Sequence, residues 1–76
     1  AALPELQLKE EKGKIHYRWK ADVPGFKMPV DVFIKGQEQR LWPTSEWQTL
    51  EGVKGLSQFE VNEAEFYIKT RIMDEL

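Results

Sequence analysis

Apolar and polar residues alternate most regularly between residues 26 and 36, FKMPVDVFIKG. The apolar positions are Phe26, Met28, Val30, Val32 and Ile34, and the positions between them include Lys27, Pro29, Asp31 and Lys35. A period of two predicts a β-strand with one buried face and one solvated face. Because Pro29 cannot donate a hydrogen bond to a neighbouring strand, the first half of this strand is predicted to lie at a sheet boundary.

The same period recurs on both sides of this segment. Leu6 and Leu8 alternate with polar residues, and a second alternating run, residues 14–20, predicts the other arm of a hairpin that turns near Gly13. Further short strands are predicted at residues 39–42, ended by Pro43, at residues 58–62 and at residues 66–72, with turns at 21–25, 36–39, 52–55 and 62–64. In the last strand, Phe66, Ile68, Thr70 and Ile72 share one face, and Tyr67, Lys69 and Arg71 share the other.

Residues 43–50 fit two structures. Ser45 and Gln48 have the spacing of a helix capping box, whereas residues 47–50 also fit a strand. We favour the strand.

About seven short strands, with no helix-period segment long enough to cover a sheet, predict an all-β fold. Two sheets packed face to face would bury the apolar faces, which gives a small antiparallel β-sandwich with an immunoglobulin-like appearance and no disulfide. A small barrel is the alternative. The predicted core consists of Leu8, Ile15, Tyr17, Trp19, Phe26, Met28, Val30, Val32, Ile34, Leu41, Phe59, Val61, Phe66 and Ile68.

The length of 76 residues predicts one domain, with residues 1–4 as a flexible lead-in. Residues 1–12 lack the basic start and apolar core of a signal peptide, so the chain is predicted to be either cytosolic or a fragment of a larger protein. Eleven Lys and Arg and thirteen Asp and Glu give a net charge of -2, which argues against nucleic acid as a partner. No apolar run reaches the roughly 20 residues that cross a bilayer, so no membrane contact is predicted. The absence of cysteine excludes disulfides and thiolate metal sites but does not decide the compartment.

Residues with catalytic potential are few. His16 is the only histidine and lies on the predicted solvated face between Lys14 and Arg18, whereas zinc sites usually combine several histidines and a catalytic triad needs a hydroxyl and an acid beside its histidine. The acidic pairs 10–11 and 74–75 lie near a turn and a terminus, and the glycines have no phosphate-binding spacing. The sequence therefore predicts no catalytic, cofactor-binding or metal-ligating residue.

Aromatic residues are frequent, with three Trp, two Tyr and four Phe. Trp19 belongs to the predicted core. Trp42 and Trp47 flank a Pro-Thr-Ser segment, and together with Tyr67 they are the candidates for an exposed docking surface or for a platform that stacks on sugar rings. The row of basic residues along 14–20 is predicted to be a solvated face.

The order of these features resembles a known family. A hairpin strand that ends in Tyr17-Arg18-Trp19, an F-x-M-P-V-x-V segment at 26–32, Arg40 before Pro43 and a closing Phe66-Tyr67-Ile68 are similar to the β-sandwich domain behind the catalytic domain of aminopeptidase N-like zinc peptidases. These enzymes are gluzincins, the peptidase family M-one, and the resemblance covers residues 6–72. It implies an accessory sandwich that packs against the catalytic domain of the same polypeptide in a bacterial, periplasmic or cell-envelope parent.

The zinc-binding H-E-x-x-H motif of that family is absent from this chain. The resemblance therefore implies a non-catalytic chain, with zinc only in the catalytic domain of the parent and no small-molecule ligand, nucleic acid or membrane as a partner. Two alternatives remain open, a carbohydrate-binding or cell-surface interaction module and an independent small enzyme.

Overall fold

The computed structural model describes residues 3–63 and 68–73, and seven strands account for most of this part of the chain. The strands are β1 (Glu5–Glu11), β2 (Lys14–Lys20), β3 (Val30–Ile34), β4 (Gln37–Leu41), β5 (Gln48–Leu50), β6 (Phe59–Val61) and β7 (Lys69–Met73). One 3₁₀ turn, Leu56–Gln58, is the only helical element in these residues. The prediction of an all-β chain with seven short strands is confirmed.

The strands form two sheets, a four-stranded sheet in the order β5-β2-β1-β7 and a three-stranded sheet in the order β4-β3-β6. Buried residues of both sheets make up a single apolar core, as a sandwich requires. Neighbouring strands are antiparallel except β1 and β7, which run parallel with Glu5 opposite Lys69 and Lys9 opposite Met73. The sandwich is therefore not purely antiparallel.

Two hairpins have two-residue turns. Lys12 and Gly13 have φ angles of 53° and 75°, and Lys35 and Gly36 have φ angles of 53° and 81°. Positive φ at both positions is what a type I′ turn requires, and its twist matches that of the flanking strands. The hairpin near Gly13 is confirmed, whereas the turn predicted at 36–39 is shorter, so that β4 begins at Gln37 instead of Gln39.

The strand predicted from Phe26 begins only at Val30, directly after Pro29. The missing N–H of Pro29 explains this boundary, because a ladder hydrogen bond cannot form there. Phe26 and Met28 nevertheless contact the core: the Trp19 and Phe26 rings meet edge to face at 5.4 Å, and the indole N–H of Trp19 donates to the Met28 carbonyl at 2.9 Å.

Eight residues of the predicted core are buried: Leu8, Ile15, Tyr17, Trp19, Val30, Val32, Leu41 and Ile68. Five more are partly buried against them: Phe26, Met28, Ile34, Phe59 and Val61. Phe66 lies outside the described residues. The prediction omitted Leu6, Leu50 and Val53, which are also buried.

Residues 42–47 carry the chain from the three-stranded sheet to the four-stranded sheet. The Thr44 carbonyl accepts a hydrogen bond from the Trp19 backbone N–H at 2.8 Å, and the Thr44 backbone N–H donates to the Gln48 side chain at 3.0 Å. β5 then starts at Gln48. The strand interpretation of this segment is confirmed for residues 48–50, and Gln48 supports the crossover instead of a helix cap.

The closing strand starts at Lys69, and the part of its prediction that covers Phe66 and Tyr67 falls outside the described residues. Ile72 lies in register with Leu8 on the inner side of the sheet, as its alternation predicts. Its side chain is nevertheless 59% exposed, because β7 is an edge strand and the three-stranded sheet leaves this position uncovered.

Candidate functional site

An apolar groove separates two edge strands that belong to opposite sheets, β6 and β7. Its volume is about 310 Å³, and its apolar lining consists of Leu8, Leu56, Phe59, Val61 and Ile72. Glu60 and Glu63 supply charges to the same lining. On this side the inner faces of the two sheets are incompletely covered by each other.

One polar atom in this groove lacks a partner. The hydroxyl oxygen of Thr70 is buried and makes no hydrogen bond within the described residues. An unsatisfied buried hydroxyl is costly, and native proteins usually supply it with a partner. Thr70 and the exposed Ile72 therefore show that the core is incompletely covered at this groove.

A second surface is the outer face of the four-stranded sheet, on the side away from the core. By strand register it carries twelve residues: Glu5, Gln7, Lys9 and Glu11 from β1; Lys14, His16, Arg18 and Lys20 from β2; Thr49 from β5; and Lys69, Arg71 and Met73 from β7. Six of them are Lys or Arg and only two are Glu, although the chain as a whole has a net charge of -2. We call this surface the basic face.

Trp47 covers the centre of the basic face. Its ring lies 4.3 Å from the Lys9 ammonium nitrogen and 4.5 Å from the central guanidinium carbon of Arg18, distances typical of cation–π contacts. Gln7 and Lys9 are only 3% and 7% exposed. The expectation of a solvated face is therefore wrong for these two residues, because the Trp47 ring contacts Lys9 and because Gln7 is hydrogen-bonded to Arg18 and Glu5.

Hydrogen bonds and an ion pair connect three strands across this face. Arg18 Nε donates to Gln7 Oε1 at 2.8 Å, and Gln7 Nε2 donates to Glu5 Oε2 at 2.7 Å. The Lys69 ammonium lies 3.9 Å from the other oxygen of Glu5. This chain of contacts fixes the orientation of the Arg18 guanidinium beside Trp47.

His16 has partners that its sequence neighbours do not reveal. Its Nδ1 lies 3.0 Å from the Thr49 hydroxyl, and its Nε2 lies 3.9 Å from a Glu11 oxygen. The side chain is only 19% exposed, so the description of His16 as solvent-facing is wrong. The order hydroxyl, imidazole, carboxylate is that of a triad, but the imidazole–carboxylate distance is too long for the hydrogen bond that orients a catalytic base.

Metal ligation has no candidate in the described ranges. Within residues 3–63 and 68–73, no group of three or more His, Asp or Glu side chains is placed to hold a metal ion. His16 has one carboxylate near it, which is fewer ligands than a protein zinc site uses.

The outer face of the three-stranded sheet carries an ion pair and an exposed ring. Asp31 is 5% exposed, and Arg40 donates to its two carboxylate oxygens at 2.8 and 3.1 Å. Trp42, just after β4, is 62% exposed. Since Trp42 adjoins one sheet and Trp47 covers the other, the two rings do not form a common platform; Tyr67 lies outside the described residues.

The fold defines the chain as a small all-β sandwich domain. Comparison with protein-family models, curated proteins and solved structures gives no match. The similarity to the aminopeptidase N-like sandwich consequently stays a prediction from the residues that carry it. Over the described residues, none of the helical structure is long and apolar enough to cross a membrane.

Proposed function

We propose that this chain is a non-catalytic accessory domain of a zinc metallopeptidase-like protein and that it packs against the catalytic domain of the same polypeptide. The observation that carries the proposal is the apolar groove between β6 and β7. Zinc and the general base would reside in the catalytic domain. The role of this chain would be architectural, to set the position of its neighbour.

The groove has the composition of an interdomain contact. Its floor is apolar, and Glu60 and Glu63 add the charge that is common at the rims of interfaces. Burying the exposed part of Ile72 alone would contribute about 1 kcal/mol, given about 1.5–3 kcal/mol for an entire aliphatic side chain. A partner group that reaches Thr70 would also satisfy its buried hydroxyl.

The carbohydrate-binding alternative has weaker support. Sugar platforms need a flat, accessible aromatic surface, and the structure offers one exposed indole, Trp42. Trp47 is partly covered and contacts two cations on the opposite side of the sandwich. No observation favours this function over interdomain packing.

The test begins with the coding sequence next to this segment. We expect it to encode an H-E-x-x-H helix upstream of residue 1. The catalytic domain found there would be produced separately and titrated with residues 1–76 by calorimetry. We expect saturable binding, because the groove would present the same surface in trans.

Two matched variants locate the contact. Ile72→Glu places a charge in the groove, while Val23→Glu makes a similar change at an equally exposed apolar residue outside it, the exposures being 59% and 62%. Ile72→Glu should weaken binding by about tenfold or more, and Val23→Glu should leave it within about twofold. Equal effects of the two variants, or an upstream sequence without the zinc motif, would contradict the proposal.

A further inference from the structure

Lys9 is an unusual lysine. The residue is only 7% exposed, yet its ammonium makes no hydrogen bond or ion pair within the described residues. Its one specific contact is the face of the Trp47 ring at 4.3 Å. An ammonium carries three hydrogen-bond donors, and a ring face satisfies none of them as a carboxylate oxygen would.

Arg18, beside it, also has free donors. Its Nε is bound to Gln7, whereas no partner within the described residues accepts from its two terminal nitrogens. The central carbon of the guanidinium lies 4.5 Å from the centroid of the Trp47 ring. The ring does not accept from the two terminal nitrogens as a carboxylate would, and a guanidinium presents such donors in a planar fork that matches a carboxylate.

The surroundings favour an anion at this position. The basic face has six Lys and Arg residues and two Glu, and both Glu already lie near a partner, Lys69 for Glu5 and His16 for Glu11. No carboxylate of the described residues lies within ion-pair distance of Lys9 or Arg18. The pair is thus a concentration of positive charge without a counter-charge.

We propose that Lys9 and Arg18, held beneath Trp47, form a binding site for a carboxylate of an acidic peptide segment. One carboxylate oxygen would accept from the Lys9 ammonium, and the Arg18 edge would bind the carboxylate in the plane of the guanidinium. Trp47 keeps the two cations adjacent and removes part of their hydration. This site lies on the outer face of the four-stranded sheet and is independent of the groove that carries the proposed function.

A peptide carboxylate fits this site better than a nucleic acid does. Glu5 and Glu11 stand on either side of Lys9 along β1, so a continuous phosphate backbone would pass next to them. A single carboxylate at the centre of the face would avoid both. The short list of donors, one ammonium and one guanidinium edge, also corresponds to one carboxylate.

The experiment titrates the 76-residue protein with a polyglutamate peptide, followed by NMR of the three indole N–H signals. We expect saturable binding that shifts the Trp47 signal more than those of Trp19 and Trp42. A polyglutamine peptide of the same length should cause no shift. Inorganic phosphate and a DNA duplex are titrated in parallel, and tighter binding of either one than of polyglutamate would overturn the proposal.

Two matched variants distinguish a specific binding site from nonspecific attraction of the acidic peptide to the positive charges of the protein. Lys9→Met keeps the unbranched stem beneath Trp47 and removes the charge, whereas Lys27→Met makes the same change at an exposed residue between β2 and β3. Lys9→Met should weaken polyglutamate binding by about tenfold, and Lys27→Met should change it by less than about twofold. Equal weakening of polyglutamate binding by the two variants would overturn the proposal. A wild-type titration that does not shift the Trp47 indole N–H signal would overturn it as well.

Discussion

β1 and β4 are both rich in polar residues, but they end up in opposite environments. In β1, the four consecutive residues 6–9 are buried, including Gln7 and Lys9. In β4, the residues 37–40 are all exposed, and Leu41 is the only buried residue. The difference comes from position, because β1 lies between β2 and β7 and has the core on one face and Trp47 on the other, whereas β4 is an edge strand. Neighbours, more than composition, decide the burial of a strand.

The largest expected effect on stability comes from truncating one core residue in each of these two strands. Leu6→Ala removes a fully buried side chain from the central strand and should lower the free energy of unfolding by about 2–5 kcal/mol. Leu41→Ala, at the end of the edge strand, should fall at the lower end of that range, since the site can relax towards solvent. Urea denaturation measures both.

Leu3→Ala serves as the control for these truncations, because Leu3 is 50% exposed. It should change the free energy of unfolding by less than about 0.5 kcal/mol. An effect of Leu41→Ala as large as that of Leu6→Ala would break the distinction between central and edge strands.

A second test compares two tryptophans. Trp47→Ala removes the ring that lies against Lys9 and Arg18, with its two cation–π contacts, and should lower the free energy of unfolding by about 2 kcal/mol. Trp42→Ala removes a ring that is 62% exposed and should cost less than about 0.5 kcal/mol. Thermal and urea denaturation of both variants would check this, and similar losses would show that Trp47 is not what protects β1.

Removing the Asp31–Arg40 ion pair, which joins the edge strand β4 to β3, should have a smaller effect on stability than the substitutions above. A double-mutant cycle with Asp31→Asn and Arg40→Gln should give a coupling energy of about 1 kcal/mol, since the bidentate geometry is favourable but the Arg40 side chain is 52% exposed. The looser Glu5–Lys69 pair, at 3.9 Å, is the comparison and should give less. A coupling energy near zero for Asp31 and Arg40 would mean that this ion pair does not anchor β4.

The smallest effect should appear only at alkaline pH. Burial raises the pKa of Tyr17 above its ordinary value of 10.0. The unfolded chain then loses this proton at lower pH than the folded chain, so the free energy of unfolding should be constant with respect to this group below pH 10.0 and fall as the pH rises through the folded pKa. Urea denaturation from pH 8 to 11 should show this decline in the wild type and a smaller one in Tyr17→Phe; identical declines would contradict it.

Local patterns predicted the strands well where alternation and turn chemistry agree. The hairpin at Gly13 is an example, because Lys-Gly provides the two positive φ angles and each arm alternates regularly. Alternation alone misleads at Phe26 and Met28, which continue the period of two although β3 begins only at Val30, at the boundary that the missing N–H of Pro29 predicts.

The candidate surfaces depended on contacts that no local pattern contains. Trp47 is 38 residues from Lys9 in the sequence, and Thr49 is 33 residues from His16. The groove likewise depends on which strands become sheet edges, a property of topology. The sequence offered one signal for the position of Trp47. A strand at 48–50 that pairs with β2 places residue 47 next to Arg18, on the outer face of the sheet.

The parallel pairing of β1 with β7 has a mechanical consequence. The first strand of the described chain is hydrogen-bonded to the last one, and their parallel direction makes the chain enter at one end of the sandwich and leave at the other. Tension between whatever precedes residue 5 and whatever follows residue 73 would therefore load these hydrogen bonds together, in shear, instead of opening them one by one. Forced extension from the two ends should therefore meet its main resistance at this ladder of hydrogen bonds.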